Sequence, residues 1–348
     1  MKTYLVTLEP LETRYTAQWK RWIPRIFEEK GLDTYEIDGD LTKAKTSSRD
    51  FLDFYNTNKW KSQQIIKIAD LFSQNKIKEN DIFFHYDSWN YAVIAIKYMS
   101  ALKGPKVRQY GIWHAGSYDP HDLLGLAGTN PFFKGFEESI FSCLEKSFVA
   151  TYYHKSLILD QFKKINPGKI IVSGLPYDFS YLEFIPVNKK ENIFVFPHRT
   201  SCEKQVEIFK DLAKYFPKYE FIVCQEQDLT KDQYHDILRR AKVMFSANLQ
   251  ETWGIGTFES LASGCLIIVP DRLSYTEMYS DDFKYPSVWT ESWESYVKNR
   301  KSLIAFIEDK IKKYDSGNLD LLLKKNLNYI RDKYCNFSAS FKDMKPGD

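Results

Sequence analysis

The sequence predicts an α/β protein of two doubly wound, Rossmann-like domains facing a central cleft. Short β-branched and aromatic runs alternate with longer amphipathic stretches, the pattern of a parallel sheet covered by helices. That alternation breaks once, in a polar connection containing Gly and Pro, and then restarts. The length of 348 residues matches two domains of roughly 100–200 residues each.

In chain order, the first half predicts strands at residues 4–8, 33–37, 81–86, 107–113, 147–150 and 170–172. Helical periodicity fills the gaps at 17–29, 60–73, 89–102, 135–144 and 156–164. Residues 117–135, rich in Gly, Pro, Asp and Asn, are long for an α/β connection and are expected to form an acceptor loop. Ser173-Gly174-Leu175-Pro176 then opens a connection that closes on Lys189-Lys190-Glu191-Asn192. The expected division is residues 1–178, a linker at 179–192, a second domain at 193–316, and a C-terminal helix and tail at 317–348 that returns toward the first domain. In the second half strands are expected at 193–196, 219–223, 243–246 and 266–269, followed by long helices at 290–314 and 318–334.

Composition narrows the class. At 43% hydrophobic and 27% charged, the chain is an ordinary globular one, which excludes disordered and fibrous classes. A net charge of +3, from 49 basic and 46 acidic residues, neither demands nor excludes a polyanionic partner. Five scattered cysteines without C-x-x-C spacing argue against a disulfide framework or a zinc cluster and for a reducing compartment. No run approaches the ~18 apolar residues of a membrane span, and the first residues read as a strand, so a cytoplasmic location is expected. Aromatics reach 16%; those interleaved with basic residues at 14–25 and 51–61 suit stacking on sugars or bases, although their helical spacing favours the core.

The most informative stretch is 241–270. A buried strand ends at Ser246, a polar loop follows, and Glu251-Thr252-Trp253-Gly254-Ile255-Gly256-Thr257-Phe258-Glu259 opens a helix that ends at Gly264. A glycine-containing loop feeding a helix start offers free N–H groups and a positive dipole end to a phosphate. Two carboxylates flanking that start suit hydroxyls, and so a molecule with phosphates between two sugars. E-x(7)-E, with Trp253-Gly254 after the first Glu and Leu261-Ala262-Ser263-Gly264 after the second, resembles the signature of retaining GT-B glycosyltransferases of the large family-four type. The resemblance implies the GT-B fold, a UDP-linked sugar donor, and no metal or other cofactor. It implies that Glu251 approaches the transferred sugar and that Glu259 holds the ribose. The N–H groups of Gly254, Ile255, Gly256 and Thr257 would then lie near the donor.

A second segment agrees. The 193–196 strand leads into Pro197-His198-Arg199-Thr200-Ser201-Cys202-Glu203-Lys204, which resembles the family's G-R-x-x-x-E-K. In that family the Arg and Lys hold the diphosphate, a bidentate fork beside a point charge, so Arg199 and Lys204 are donor-binding candidates. His198 replaces the usual Gly. Residues 170–178 resemble the strand and turn that end the family's first domain. Together these matches cover about a third of the chain, 170–279.

The first half is less readable. The family's glycine-rich first loop is replaced by Glu9-Pro10-Leu11-Glu12-Thr13-Arg14-Tyr15-Thr16, where Arg14 or Thr16 supplies side-chain donors or simply starts a helix. His114, after the 107–113 strand, resembles the histidine that lines the sugar site in family-four enzymes. His85 and Asp87 fall at the same sheet edge. Asp87 suits orienting or deprotonating an acceptor hydroxyl, or capping the helix after it. Residues 8–19 resemble phage-type GT-B enzymes, some of which glycosylate hydroxymethylated pyrimidines in double-stranded DNA. A saccharide or lipid-linked glycan is the alternative acceptor, and an inactive GT-B-like binding module the alternative to an enzyme. Asp38-Gly39-Asp40 is a D-x-D that reads as a turn, and no early strand precedes a G-x-G-x-x-G, which disfavours a dinucleotide oxidoreductase.

Overall fold

The computed structural model describes residues 1–11, 14–41, 53–126 and 131–344. They divide into two compact units, Met1–Tyr177 with the segment from Cys335 onward, and Asp178–Tyr334.

In the first unit the order is β1 (Thr3–Val6), α1 (Tyr15–Glu28), β2 (Thr34–Ile37), α2 (Phe54–Ser73), β3 (Ile82–His85), α3 (Ala92–Leu102), β4 (Arg108–Ile112), α4 (Leu123–Leu126), α5 (Pro131–Cys143), β5 (Lys146–Val149), α6 (Tyr152–Gln161) and β6 (Ile170–Val172). The six strands form one parallel sheet in the order β2-β1-β3-β4-β5-β6. β1 and β3 are buried on both faces, which explains why they read as continuous apolar runs rather than alternating ones. The strand order reverses between β1 and β3, where Val6 lies opposite His85. In open α/β sheets, ligands gather at the carboxyl ends of the strands beside such a reversal.

Helix starts follow local chemistry. Asp53 caps α2 by accepting from the N–H of Asn56 at 3.1 Å, and Thr151 caps α6 through His154 at 3.2 Å. Pro131 opens α5, where a missing N–H costs nothing. The connection expected at 117–135 therefore holds α4 and the first turn of α5; residues 127–130 lie outside the described part.

The second unit contains β7 (Glu191–Phe196), α7 (Val206–Leu212), β8 (Glu220–Val223), α8 (Lys231–Arg240), β9 (Ala241–Phe245), α9 (Ile255–Ala262), β10 (Leu266–Pro270), α10 (Tyr275–Met278), β11 (Lys284–Tyr285), α11 (Trp293–Asp315) and α12 (Asp320–Tyr334). Its sheet is parallel in the order β11-β10-β9-β7-β8, and the reversal falls between β7 and β9. The two-residue β11 carries too little pattern to be read from sequence.

The segment expected as a linker packs on the second unit. Ile185 N–H donates to the Ser263 carbonyl at 3.3 Å, and the half-buried Lys190 ammonium donates to the carbonyls of Ser263 at 2.6 Å and Leu238 at 3.1 Å. At Gly264, φ +86°, a Cβ would come within 2.2 Å of the Ile185 carbonyl oxygen, so the close approach requires glycine. The reason is composition: Leu182, Phe184 and Ile185 are too apolar for an open tether.

Of residues 317–348, α12 belongs to the second unit and the segment from Cys335 onward to the first. Asn336 bridges Pro176 in antiparallel fashion, and Phe337 lies edge-on to Phe84 and Phe148 at 6.0 and 5.6 Å, all within the first unit. Much of the aromatic surplus is core: Trp19, Trp60, Trp113 and Trp253 are all buried.

Candidate functional site

In the second unit the loops after β7 and β9 meet at the sheet reversal. Gly254 precedes α9 at φ +89° and ψ 65°, a left-handed conformation that glycine adopts without steric cost. It offers no side-chain cap, so the N–H groups of Ile255, Gly256 and Thr257 have no acceptor within the helix. A Cβ on Gly256 would sit 3.1 Å from both Cβ and the carbonyl oxygen of Pro197, so the start of α9 lies directly on the loop after β7.

That contact brings the two sequence segments together. Lys204 is buried, and its ammonium donates to the Gln250 carbonyl, to Gln250 Oε1 at 3.2 Å and to Glu251 Oε2 at 3.4 Å. Arg199 pairs with Glu203 at 3.1 Å and keeps its side chain about one-third exposed (33%), enough to reach a ligand. Glu251 keeps 18% of its side chain exposed, against 5% for Lys204.

Asn248, a residue that no motif marks, is the hub beneath this pair. Its Nδ2 lies 3.4 Å from Glu251 Oε2 and 3.1 Å from Tyr275 Oη, and 3.4 Å from His198 Nδ1. Facing a carboxylate, that nitrogen is a donor. Burial holds the His198 pKa well below its ordinary value, and the charges of Lys204 and Arg199 push the same way. The His198 side chain is therefore a neutral imidazole beside two cations.

Two further residues hold the loop after β9. Arg272 donates to the carbonyls of Asn248 and Ala247 at 2.7 Å each, of Ser287 at 2.9 Å and of Thr290 at 3.1 Å. Gln205, in a left-handed conformation at φ 52°, donates to the Ala247 and Thr290 carbonyls at 2.5 and 2.8 Å. Both lie outside any motif; their signal is geometric alone.

Glu259 is buried on α9, away from the Lys204–Glu251 pair in its bonding. Tyr234 Oη donates to Oε2 at 2.8 Å, Tyr181 Oη to Oε1 at 3.1 Å, and Lys231 stands 3.4 Å from Oε1. Its carboxylate is thus enclosed by phenols and an ammonium.

In the first unit, the carboxyl ends of β3 and β4 carry the remaining candidates. His114 Nε2 lies 2.8 Å from the Tyr86 carbonyl, which requires an N–H there, so Nδ1 accepts from Tyr15 Oη at 3.0 Å. Burial lowers its pKa, which keeps the ring neutral. The ring also packs on Trp19 at 5.0 Å. Asp87 does not cap α3, whose N-cap is Tyr91; its Oδ1 accepts from Trp89 N–H at 3.0 Å, and Oδ2 lies 3.4 Å from the Lys61 ammonium.

His85 departs from the expected acceptor edge. It is fully buried within β3, its Nε2 bonded to Gln109 Oε1 at 3.1 Å, and burial drives its pKa down to about 4. Because β3 is buried on both faces, neither direction of a side chain along it reaches solvent. Arg14 is the N-cap residue of α1 but makes no side-chain cap, and its guanidinium lies 5.8 Å from the Tyr15 ring centre. Thr16 is buried and accepts from Leu11 N–H at 3.0 Å, folding the first loop back on the helix; residues 12 and 13 lie outside the described part. In the D-x-D, Asp38 is held by Thr7 and Lys20, and Asp40 by Gln63 and Lys67. Among the described residues, no cluster of three or more His, Cys, Asp or Glu side chains is placed to hold a metal ion, and no helix is long and apolar enough to cross a membrane.

No protein-family model matches the sequence, and no curated protein matches it. Solved structures do match, at low identity. Sucrose-phosphate synthase from Thermosynechococcus elongatus aligns with a TM-score of 0.65 at 9% identity, covering 99% of this chain and 97% of that one. Anabaena HepE, in complex with UDP and glucose, aligns at 0.59 and 10% identity over 99% and 98%. TarM of S. aureus, in complex with fondaparinux, α-GlcNAc-glycerol and UDP, aligns at 0.50 and 15% identity over 81% of this chain and 57% of that one. The chain thus spans little more than half the length of TarM and of the pneumococcal transferase GtfA, where it covers 58%. The two parallel-sheet α/β units have the fold of GT-B glycosyltransferases.

Proposed function

We propose that this chain is a retaining, metal-independent glycosyltransferase that moves a sugar from a UDP-linked donor to the hydroxyl of a saccharide acceptor. One observation carries the reading. At the β7/β9 reversal, Lys204, Glu251 and the open first turn of α9 converge, with Lys204 and Glu251 3.4 Å apart. An ammonium, a guanidinium and unpaired N–H groups suit a diphosphate, and a carboxylate beside them suits a sugar hydroxyl.

In this reading, the bond from the sugar's anomeric carbon to the diphosphate breaks as the acceptor oxygen bonds to that carbon. Charge grows on the departing diphosphate, where Lys204, Arg199 and the α9 N–H groups stabilise it without a metal. Glu251 holds the transferred sugar, and same-face attack retains the anomeric configuration. Asp87 orients the acceptor hydroxyl or takes its proton, with neutral His114 as a second polar contact. Glu259 meets the ribose once Tyr181 or Tyr234 yields its bond. Support for the donor comes from the UDP in the HepE and TarM complexes. The sugars in those complexes, together with a net charge of only +3, favour a saccharide over DNA.

The test is transfer from labelled UDP-glucose and UDP-N-acetylglucosamine, in EDTA, to a cell-wall glycan extract and to hydroxymethylated DNA. Label in glycan, lost in Glu251→Ala, is the expected result. Label in DNA would move the acceptor to that second reading. UDP binding without any turnover or donor hydrolysis would leave a binding module and overturn the enzyme.

A further inference from the structure

We propose that Glu137 is a positioning residue: its buried carboxylate locks the loop after β4, which carries His114, to the loop after β3, which carries Asp87. Glu137 lies on α5 and is fully buried. Its Oε1 accepts from the Ser117 backbone N–H at 2.7 Å and from the Trp89 indole N–H at 2.8 Å, and its Oε2 accepts from Ser117 Oγ. The described residues supply no cation to it; three hydrogen bonds from two loops compensate the charge.

A carboxylate in that place is not an economical packing choice. Burying a charged carboxylate carries a desolvation penalty that a thioether would avoid. What it offers is acceptor capacity on both oxygens, which a glutamine lacks. Here the donors converge from two different loops. The backbone packs close as well: a Cβ on Gly116 would lie 2.6 Å from Glu137 Oε1 and 2.4 Å from the Tyr118 ring.

Each loop has a second anchor. On the β3 side, Trp89 donates its backbone N–H to Asp87 Oδ1 at 3.0 Å and accepts Lys61 Nζ on its carbonyl at 2.5 Å. Fixing the indole therefore fixes the turn that aims Asp87. On the β4 side, His114 is held by the Tyr86 carbonyl and Tyr15 Oη, three residues before Ser117. Glu137 closes the ring between them. The catalytic consequence rests on the reading of Asp87 and His114 as acceptor-side groups; the lock itself does not.

Hydrogen exchange and kinetics on the full chain test it together. In Glu137→Gln, one oxygen becomes an N–H facing donors. The Ser117 amide is expected to exchange at least about tenfold faster, as loss of a charge-assisted hydrogen bond predicts, with β4 amides unchanged. The kcat for transfer is expected to fall about tenfold or more while the KM for the UDP-sugar stays within about twofold, because the donor groups lie on the other unit. If that variant does not fold, Ser117→Ala, which removes only the Oγ bond, carries the same measurements with a few-fold effect. Unchanged exchange at the Ser117 position overturns the lock, and faster exchange with unchanged kcat overturns the positioning role. If the wild-type chain transfers nothing, the acceptor-side reading fails, and exchange alone decides the lock.

Discussion

Replacing Lys204 by Met keeps most of the aliphatic stem and removes only the ammonium. In the free protein that ammonium serves the Gln250 carbonyl, Gln250 Oε1 at 3.2 Å and Glu251 Oε2 at 3.4 Å. Gln250 is buried, so its orphaned acceptors cost about 1–3 kcal/mol of stability. For a bound diphosphate the ceiling is the Coulomb attraction of one ammonium at 4 Å, about 4 kcal/mol at an effective dielectric constant near 20. Desolvation and the pairing with Glu251 that must be given up reduce this to roughly 2–3 kcal/mol. That corresponds to a loss of UDP affinity of about 30- to 150-fold. Titration calorimetry with UDP reads the affinity, and urea unfolding reads the stability in the same sample. A folded Lys204→Met protein that binds UDP within about threefold of wild type would refute the placement of the diphosphate beside Lys204.

Glu251→Gln is expected to act in opposite directions on binding and turnover. Removing a negative charge beside the diphosphate and freeing Lys204 should tighten UDP by a few-fold, about 0.5–1 kcal/mol for a partly exposed carboxylate, while transfer falls at least about a hundredfold; weaker UDP binding would sink this geometry. Arg272→Lys should cost about 2–4 kcal/mol in urea unfolding, because a point-charge ammonium cannot serve the backbone carbonyls that the guanidinium fork reaches. It should also weaken UDP binding through the loop after β9, and an unchanged midpoint would show that the loop stands without it. His85, held neutral by burial at a pKa of about 4 against 6.5 when unfolded, gives a stability that is complete above pH 6.5. That stability is lost as the pH falls toward 4, by about 3 kcal/mol in all. His85→Gln should flatten this acid limb, which pH-resolved urea titrations would show.

The strands were legible because parallel strands buried on both faces leave continuous apolar runs, as 82–85 and 266–270 do. Strand order was not legible. Nothing in residues 3–6 states that they lie between β2 and β3, yet that neighbour relation creates the reversal where ligands gather. The expected linker shows a related limit: Gly174, Pro176 and the charged run at 189–192 marked a connection there, but its apolar side chains dock it on the second unit.

The sites divide in the same way. Lys204 and Glu251 were singled out separately from two motifs, and folding sets them 3.4 Å apart across 47 positions of sequence. Asn248, Arg272 and Glu137 carry no motif, since what distinguishes them is the set of partners they reach. His85 and Asp87 sit two positions apart, but β3 ends between them: His85 closes the buried strand, and Asp87 lies on the turn beyond it.

By itself, then, the amino-acid order determined the class of fold, the alternation of its elements and the residue types suited to a sugar nucleotide. These depend on local periodicity, turn chemistry and charge, which act over a few neighbouring residues. Only the tertiary structure decided which of those side chains stay partly exposed, which pair with each other and which vanish into the core. Burial and hydrogen-bond satisfaction are settled between segments distant in sequence, and no local pattern records where such a segment will find its partner.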